Sequence, residues 1–424
     1  MNPAPGLLLL TESSPFLGGD DPFFLAEAQA LSTRFNLTIV PTASSSGPRW
    51  DLPGSDCQPM YPVQRPGFLA SWADVLRSCL SRRVWAEATR HGRAGWRPRA
   101  LITVAVRDAR GRHAERIVQA HLERLLESGS VVCYAWWATA ESAGAARACG
   151  RFGVPFITRM HGYDLYDEQQ PIGFQPFQEG LVKDATVLAP VSKAGAEYLI
   201  ARYPWAQDKV VTLYLGSSQP ESIAQGSQDG TFRVVSCSQV IPVKRVEMIM
   251  DVVSEVARRG HRRITWTHIG AGPGLAELQR VVAARPELSA RVTFLGDIAH
   301  AEVLQFLSHQ PADLFINMST SEGLPVSLME AASCGIPLLA LDVGGVGEVV
   351  DSANGCLLPA RATVAEAADA VVSLMACSDS ATAMLRARSR QRWERSFDAE
   401  VNTTRAIELL VANAGVSPAQ ERDV

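Results

Sequence analysis

Short apolar segments alternate with amphipathic segments along the whole chain. The apolar segments that predict strands in the first half are Leu7–Leu10, Leu37–Pro41, Leu101–Val106, Val131–Trp136, Phe156–Thr158 and Thr186–Pro190. Those of the second half are Phe232–Ser236, Ile264–Gly270, Val292–Leu295, Leu314–Asn317 and Pro337–Leu341. Strands that alternate with helices in this way are typical of βαβ units and parallel sheets. The pattern therefore predicts an α/β protein.

The amphipathic segments between these strands predict helices. The first helix is expected at Asp21–Phe35, because Asp21 is a cap-like residue and a proline follows it directly. The helices expected in the second half lie near Glu247–Arg259, Leu275–Ala284, Ala301–Ser308 and Val326–Ser333. From Thr363 to Ala414 the pattern is almost wholly helical.

The length of the chain and one polar segment predict two domains. At 424 residues the chain is too long for one compact core and suits two domains. The segment "SSQPESIAQGSQDG" is polar and rich in turn residues. The expected order is a first domain at 1–216, a linker at 217–230, a second domain at 231–395 and a helical tail at 396–424 that returns to the first domain. Two parallel sheets that face each other would bind a ligand at the carboxyl ends of their strands, in a central cleft.

Composition places the chain among ordinary globular proteins. Hydrophobic residues make up 47% of it and charged residues 20%, which excludes the disordered and fibrous classes. The early apolar run Gly6–Leu10 is far shorter than the roughly 20 residues that cross a bilayer. The eight cysteines are scattered, with no C-x-x-C pair. We therefore expect a cytoplasmic protein with reduced thiols.

Positive charge is concentrated in one stretch. Twelve arginines and four acidic residues lie between Arg77 and Arg124, although the whole chain has a net charge of -4. A solvated arginine-rich face is one interpretation. The other is a surface that docks on an anionic membrane or on a phosphate-bearing acceptor. A nucleic acid partner is not expected, because the stretch lacks the interleaved aromatic residues of a base-stacking surface.

Two glutamates, Glu322 and Glu330, lie within "STSEGLPVSLMEAASCGIP", a segment that is otherwise typical of buried structure. Glu322 follows a predicted strand, and Glu330 lies in the helix that opens near Val326. A carboxylate accepts charge-assisted hydrogen bonds from a pair of hydroxyl groups. The spacing therefore predicts a sugar at one glutamate and a ribose at the other. The alternative is a capping Glu322 and a solvated Glu330.

Between the two glutamates, the turn Gly323, Leu324 and Pro325 precedes the predicted helix. The amino-terminal end of a helix presents unpaired backbone N–H groups and a partial positive charge, so it binds anions. We predict that a diphosphate is held at this turn. A helix end between the glutamates favours binding carboxylates over a general acid and base pair.

Two cations and one histidine follow other predicted strands. Lys244 and Arg245 come after the strand that ends near Ser236, and adjacent cations there can neutralise a diphosphate. His161 follows the strand "PFIT" directly, in "TRMHGYDLYDEQ". The alternatives are a solvated Lys-Arg pair and a structural histidine. The pair Gly18 and Gly19, in "LGGDDPF", predicts either a ligand-facing loop or a plain strand-to-helix turn.

The segment "SEGLPVSLMEAASCGIPLLALDVGGVGEVV" resembles the donor-binding signature of family-4 retaining glycosyltransferases, which belong to glycosyl transferases group 1. In that family, a glutamate, seven residues and a second glutamate bracket the nucleotide-sugar. The resemblance implies that Glu322 contacts the donor sugar and Glu330 the ribose. Gly344, Gly345 and Glu348 would lie in the matching downstream loop. Gln239 stands where relatives often carry an arginine, so Arg245 is expected to replace it.

The resemblance implies the GT-B fold, with two Rossmann-like domains whose parallel sheets face a central cleft. It assigns His161 to the neighbourhood of the donor sugar and the Gly18-Gly19 loop to the acceptor and phosphates. The predicted catalytic residues are His161, Glu322 and Lys244. The residues predicted to bind the donor are Gly18, Gly19, Arg245, Gly323, Leu324, Pro325 and Glu330.

The implied reaction is the transfer of a hexosyl-type sugar, with retention, to a hydroxyl group of a saccharide or lipid-linked acceptor. No metal and no cofactor are expected, since the nucleotide-sugar is the substrate. The expected location is cytoplasmic, peripheral to the inner face of the membrane. Other GT-B enzymes, namely a nucleotide-sugar epimerase or a sugar phosphorylase, remain alternatives. A non-catalytic nucleotide-sugar-binding subunit is a further one.

Overall fold

The computed structural model describes most of the chain, in two compact units. The described residues are 4–15, 21–43, 52, 55–58, 60, 68–260 and 263–415, without the side chains of 21–23 and 68–72. The first unit comprises Met1–Leu213 and Thr403–Val424, and the second comprises Tyr214–Asn402. No helix among these described residues is long and apolar enough to cross a bilayer.

The first unit is built on a sheet of six described strands, all parallel. The strands are β1 (Gly6–Thr11), β2 (Asn36–Pro41), β3 (Ser55–Cys57), β4 (Val131–Ala135), β5 (Phe156–Met160) and β6 (Val187–Pro190), in the order β3-β2-β1-β4-β5-β6. Its helices are α1 (Asp21–Ser32), α2 (Phe68–Cys79), α3 (Arg82–Arg90), α4 (Gly92–Gly95), α5 (Pro98–Leu125), α6 (Ala140–Phe152), α7 (Gln178–Asp184) and α8 (Lys193–Arg202). Strand β4 is buried along its whole length. A strand covered on both faces needs a continuous apolar run, which is why "VVCYA" forms it.

The predicted strand Leu101–Val106 is wrong, because these residues lie inside the 28-residue helix α5. Only Val104 and Ala105 of this run are buried, whereas Ile102 is 56% exposed. A short apolar run fits a strand and a helix face equally well, and length decides between them. Gly144 of α6 allows a close crossing with α5, since a Cβ atom there would lie 1.9 Å from the Gly111 carbonyl oxygen.

The second unit repeats the architecture. Its described strands are β7 (Thr231–Cys237), β8 (Arg263–Ile269), β9 (Val292–Gly296), β10 (Leu314–Asn317), β11 (Leu338–Leu341) and β12 (Gly355–Leu358), parallel and in the order β12-β11-β10-β7-β8-β9. Its helices are α9 (Val246–Arg258), α10 (Leu275–Ala284), α11 (His300–His309), α12 (Val326–Ser333), α13 (Val346–Val349), α14 (Val364–Met375) and α15 (Asp379–Ser396). Two six-stranded parallel sheets confirm the predicted α/β class with two Rossmann-like domains.

The last helix, α16 (Ala399–Ala414), begins in the second unit and continues in the first. In the second unit, the Asn402 side chain donates to the Leu215 carbonyl at 2.9 Å. In the first unit, Ala406 packs against Ala189 and Leu213. Residues 217–230 contain no described helix or strand and hydrogen-bond within the second unit, as between Ala224 N and the Cys334 carbonyl at 2.9 Å. A linker role for 217–230 stays a prediction.

Candidate functional site

An ion pair between Glu322 and Lys244 lies at the carboxyl end of the second sheet. Lys244 Nζ lies 2.7 Å from Glu322 Oε1, although the two residues are 78 positions apart in sequence. Glu322 is 8% exposed, and its carboxylate also accepts a longer hydrogen bond from the Asn317 side chain at 3.4 Å. A buried carboxylate needs a partner, and Lys244 supplies the charge. The structure therefore brings together two of the three residues predicted to be catalytic.

The loop after β7 positions Lys244. The chain leaves β7 at Cys237 and makes a short 3-10 turn at Pro242–Lys244. The Thr320 N–H group donates to the Val243 carbonyl at 2.8 Å, which ties this loop to the loop that carries Glu322. Arg245 follows with a φ of 47°, and no described residue partners its guanidinium group. The structure therefore groups Lys244 with Glu322 and shows no such contact for Arg245.

Gly344 explains why the downstream loop is rich in glycine. It has a φ of +52°, and a Cβ atom added to it would lie 1.8 Å from the Glu322 carbonyl oxygen. The next residue, Gly345, donates its N–H group to the Gly323 carbonyl at 3.1 Å. The loop therefore packs directly on the backbone that presents Glu322. Glu348 accepts a hydrogen bond from the Tyr214 hydroxyl at 2.7 Å.

Helix α12 starts directly after the predicted phosphate-binding turn. Pro325 is its capping residue and makes no side-chain capping bond, while Leu324 is buried. The first turn of α12 carries no acidic residue. The first N–H groups of a helix have no acceptor within the helix and carry partial positive charge. This end of α12 is therefore suited to an anion, as the sequence predicts for Gly323, Leu324 and Pro325.

Glu330 is buried in α12 and has a partner that sequence reasoning missed. His300 Nε2 lies 2.5 Å from Glu330 Oε1, and Glu330 is 3% exposed. The hydrogen bond with Glu330 raises the pKa of His300. His300 directly follows the "GDIA" loop after β9, at a strand's carboxyl end. That position was the available signal, because such ends meet at one edge of a parallel sheet.

The Cys237 thiol lies near the two charged groups Glu330 and Lys244. Burial, with a smaller contribution from the Glu330 carboxylate, raises the pKa of the Cys237 thiol to about 12, and Lys244 opposes the shift. Cys237 therefore lies in the electrostatic range of both Glu330 and Lys244, at the end of β7. Among the described residues, no group of three His, Cys, Asp or Glu side chains could hold a metal ion.

Beneath the site, His268 of β8 is fully buried. Ser236 Oγ lies 2.8 Å from His268 Nδ1 and accepts a hydrogen bond from the Trp266 indole at 2.8 Å. Burial lowers the pKa of His268 to about 4, so the imidazole is neutral near pH 7. His268 thus supports the end of β7 and is not accessible to a ligand.

In the first unit, His161 follows β5, as the sequence predicts. Its ring lies 4.1 Å from the Trp137 ring, centroid to centroid, and the residue is 9% exposed. Asp164 Oδ1 accepts a hydrogen bond from the His161 backbone N–H at 2.6 Å, and Asp164 Oδ2 accepts one from Ala138 at 2.7 Å. His161 Nδ1 is buried without a hydrogen-bond partner, since Asp164 Oδ2 is 3.7 Å away.

Beside His161, a cavity of about 140 Å³ opens within the first unit. Its lining includes polar side chains from loops and from helices; they are Glu12, Thr139, Tyr163, Asp164, Gln170 and Gln175, and Arg107, Arg110, Glu141 and Gln178. Arg110 pairs with Glu141, and burial lowers the pKa of Arg107. Carboxylates, amides and guanidinium groups beside the aromatic rings of Tyr163 and Phe177 suit a ligand rich in hydroxyl groups. Gly18 and Gly19 lie outside the described residues.

Residues 231–377 match the family model of glycosyl transferases group 1. This segment carries Lys244, Glu322, Glu330 and their partners. The match confirms the resemblance predicted from the two glutamates. Placement in family 4 stays a prediction.

Sequence comparison aligns parts of this chain with known proteins, and structural superposition aligns nearly all of it. The chain is 31% identical to the GtfA subunit of UDP-N-acetylglucosamine--peptide N-acetylglucosaminyltransferase from Streptococcus pneumoniae, over 38% of this chain and 30% of that protein. It is 30% identical to the O-antigen biosynthesis glycosyltransferase WbnH from Escherichia coli, over 40% of this chain and 45% of that protein. The chain therefore spans less than half the length of these two relatives.

HepE from Anabaena, solved in complex with UDP, shares the fold. It superposes with a TM-score of 0.65 over 96% of this chain and 100% of that chain, at 18% identity. At this identity the likeness is evidence of fold alone. It agrees with the two parallel sheets of this chain.

Proposed function

We propose that this chain, which has the GT-B fold and belongs through residues 231–377 to glycosyl transferases group 1, is a retaining glycosyltransferase. It moves a hexosyl-type sugar from a nucleoside-diphosphate sugar to a hydroxyl group of a saccharide or lipid-linked acceptor, in glycan biosynthesis. The observation that carries the proposal is the Lys244–Glu322 pair at 2.7 Å, next to the start of α12.

The pair supplies both charges that a nucleotide-sugar requires. Lys244 and Glu322 form an ion pair in this structure. A bound donor brings a diphosphate, which attracts the ammonium group of Lys244, and sugar hydroxyl groups, which donate to the Glu322 carboxylate. A bound donor would therefore replace the Lys244–Glu322 ion pair with contacts from Lys244 to the diphosphate and from Glu322 to the sugar hydroxyl groups. Glu330, oriented by His300, accepts hydrogen bonds from the ribose.

In the reaction, the bond between the anomeric carbon and the diphosphate oxygen breaks, and a bond from that carbon to the acceptor oxygen forms on the same face. The leaving diphosphate takes the proton of the acceptor hydroxyl group. Lys244, Arg245 and the N–H groups at the start of α12 stabilise the negative charge that develops on the diphosphate. These groups perform the task of a metal ion, so the proposed reaction is metal-independent. His161 contacts the donor sugar in this proposal, as the family resemblance implies.

The proposed function includes a binding site for the acceptor and a cellular location. The polar cavity beside His161 suits a saccharide ring, with Tyr163 as the stacking surface and the polar side chains of its lining as hydrogen-bond partners of the hydroxyl groups. We place the enzyme in the cytoplasm, peripheral to the membrane. Because HepE was solved with UDP, uridine nucleotides are the first donors to test.

To test the proposal, the purified chain is incubated with a panel of nucleotide-sugars. The release of nucleotide and the mass of the product are then measured. Glu322→Gln should lower the rate about 100- to 1000-fold, because it removes a preorganised charged contact with the sugar. Glu277→Gln is the matched control, since Glu277 is an exposed glutamate of α10 whose side chain is 64% accessible. Its rate should equal that of the wild type.

Other results would replace the proposal with a different function. An isomerised sugar that stays on its nucleotide would indicate an epimerase, and turnover that requires free phosphate would indicate a phosphorylase. Donor binding without turnover, with every acceptor offered, would indicate a binding subunit. If no donor is bound or consumed, or if Glu322→Gln changes nothing, the proposed function is wrong.

A further inference from the structure

Two exposed tryptophans and four arginines form what we call the Trp-Arg surface of the first unit. Trp85 of α3 is 44% exposed and Trp96, after α4, is 48% exposed. Their rings lie 5.5 Å apart, centroid to centroid. Each of the four arginines lies within three residues of one tryptophan and is exposed; they are Arg82, Arg93, Arg97 and Arg99. Half-exposed tryptophans that pack on each other are typical of an interaction surface.

Few acidic residues lie near this surface in the sequence. Between Leu80 and Arg107 the sequence contains seven arginines and one acidic residue, Glu87. Glu87 is 3% exposed and is bonded to Arg90, among others. In the described part of the chain, no carboxylate pairs with any arginine of the Trp-Arg surface. The surface therefore carries about four uncompensated positive charges.

The arginines on either side of this surface differ from it, because they pair with acidic residues. Further along α5, Arg110 pairs with Glu141, and Arg112 lies 3.3 Å from Asp108. In α2, Arg77 lies 3.8 Å from Asp74. These arginines meet acidic residues of the same unit. The part around Trp85 and Trp96 combines positive charge that no described carboxylate pairs with and exposed aromatic area.

We propose that the Trp-Arg surface docks the first unit on a membrane that contains anionic phospholipids. Tryptophan rings partition to the headgroup level of a bilayer, and arginines bind lipid phosphates. Leu80, which is 84% exposed and lies two residues before the start of α3, adds apolar area beside the arginines. The described helices are too short or too polar to cross a bilayer, so the contact is peripheral and is weakened by salt.

This inference deepens the proposed function and rests on it for its purpose. Docking would hold the enzyme where a lipid-linked acceptor is found, which favours that class of acceptor over a free saccharide. Membrane binding itself requires no donor and no turnover. A vesicle experiment can therefore fail while the transfer reaction succeeds, and the reverse.

The experiment is sedimentation of the full chain with vesicles of phosphatidylcholine, with and without phosphatidylglycerol, at low and high salt. The first variant combines Arg82→Gln, Arg97→Gln and Arg99→Gln. Its control removes the same charge from exposed arginines of the second unit, by Arg258→Gln, Arg280→Gln and Arg388→Gln. The second variant is Trp85→Ala with Trp96→Ala, and its control is Trp205→Ala, because Trp205 is 56% exposed elsewhere on the first unit.

We expect the wild type and both controls to bind the anionic vesicles and to dissociate at high salt. The arginine variant should bind about 100-fold more weakly, since each arginine near an anionic surface contributes about fivefold. The tryptophan variant should also bind more weakly. Far-ultraviolet circular dichroism of each variant checks that it is folded.

Three results would overturn the proposal. The first is that the wild type does not bind anionic vesicles. The second is that the arginine variant binds them as tightly as its control. The third is that the wild type binds a soluble polyanion such as dextran sulfate but no vesicle, which would assign the surface to an anionic glycan.

Discussion

Lys244 Nζ lies 2.7 Å from Glu322 Oε1, so two groups predicted to bind different parts of one donor form an ion pair with each other. The pair joins the loop after β7 to the loop after β10. A lone buried carboxylate would destabilise the fold, and a lone lysine would attract any anion. The pair therefore satisfies a buried carboxylate at the carboxyl end of the second sheet.

Lys244→Met should destabilise the second unit by about 2 kcal/mol, because it leaves the buried Glu322 carboxylate without its cation. The double variant Lys244→Met with Glu322→Gln should regain most of that stability, since no charge remains unpaired. Neither variant should bind a donor. Urea unfolding measures the stability, and calorimetry measures donor binding. Equal stability of the single and double variants would contradict the role of the pair.

Gly344→Ala should abolish donor binding, because its Cβ atom would displace the Glu322 backbone, which lies 1.8 Å away. The control is Gly230→Ala, since Gly230 also has a positive φ, of +74°, but its Cβ atom would meet no atom within 4 Å. The control should lose about 1 kcal/mol of stability from backbone strain alone. If both variants bind the donor like the wild type, the packing of the Gly344 loop on Glu322 is irrelevant to function.

His300→Ala should raise the donor KM several-fold with a smaller effect on kcat, because Glu330 loses the partner that orients it toward the ribose. The hydrogen bond raises the pKa of His300 in the folded protein. A raised pKa contributes stability that is complete below the unfolded value of about 6.5 and is lost as pH rises through the folded value. Urea unfolding of the wild type should show this loss above pH 6.5, and His300→Ala should not. Identical pH profiles would refute the pairing.

His268 gives the opposite pH dependence. Its pKa is lowered to about 4, so the unfolded chain binds a proton that the folded one rejects. Stability should therefore fall as pH drops from about 6.5 toward 4, by roughly 3 kcal/mol from this residue. His268→Gln keeps a polar group beside Ser236 and should flatten the profile in this range. An unchanged acid limb would show that other groups cause the loss.

Local pattern was sufficient for most of the fold. Fully apolar strands such as β4 and the run of β10 into the Glu322 loop were predictable, because buried parallel strands are continuous apolar runs. Leu101–Val106 was not, since the same run fits one face of a long helix. Strand β12 (Gly355–Leu358) was missed because it lies at the edge of its sheet, begins with a glycine and is only partly buried, so it lacks the continuous apolar run of a central strand.

The sequence pointed to the site where charged residues occur in a segment that is otherwise typical of buried structure. The spacing of Glu322 and Glu330 around a turn pointed to two binding carboxylates, and both lie at the site. His300 was missed because its contact with Glu330 is a tertiary one, across 30 residues. The Lys244–Glu322 pair was likewise hidden, since sequence gives the side chains but not which of them neutralise each other. The roles of all the predicted site residues, Glu322, Lys244 and Glu330 among them, stay predictions.

The most direct test of the central claim is proton NMR of the purified chain with nucleotide-sugars, uridine donors first, and saccharide or lipid-linked acceptors. Nucleoside diphosphate should appear in step with a glycosidic product whose anomeric configuration equals that of the donor. Glu322→Gln should slow both signals about 100-fold or more. A product of inverted configuration, or equal rates for Glu322→Gln and the wild type, would contradict the central claim.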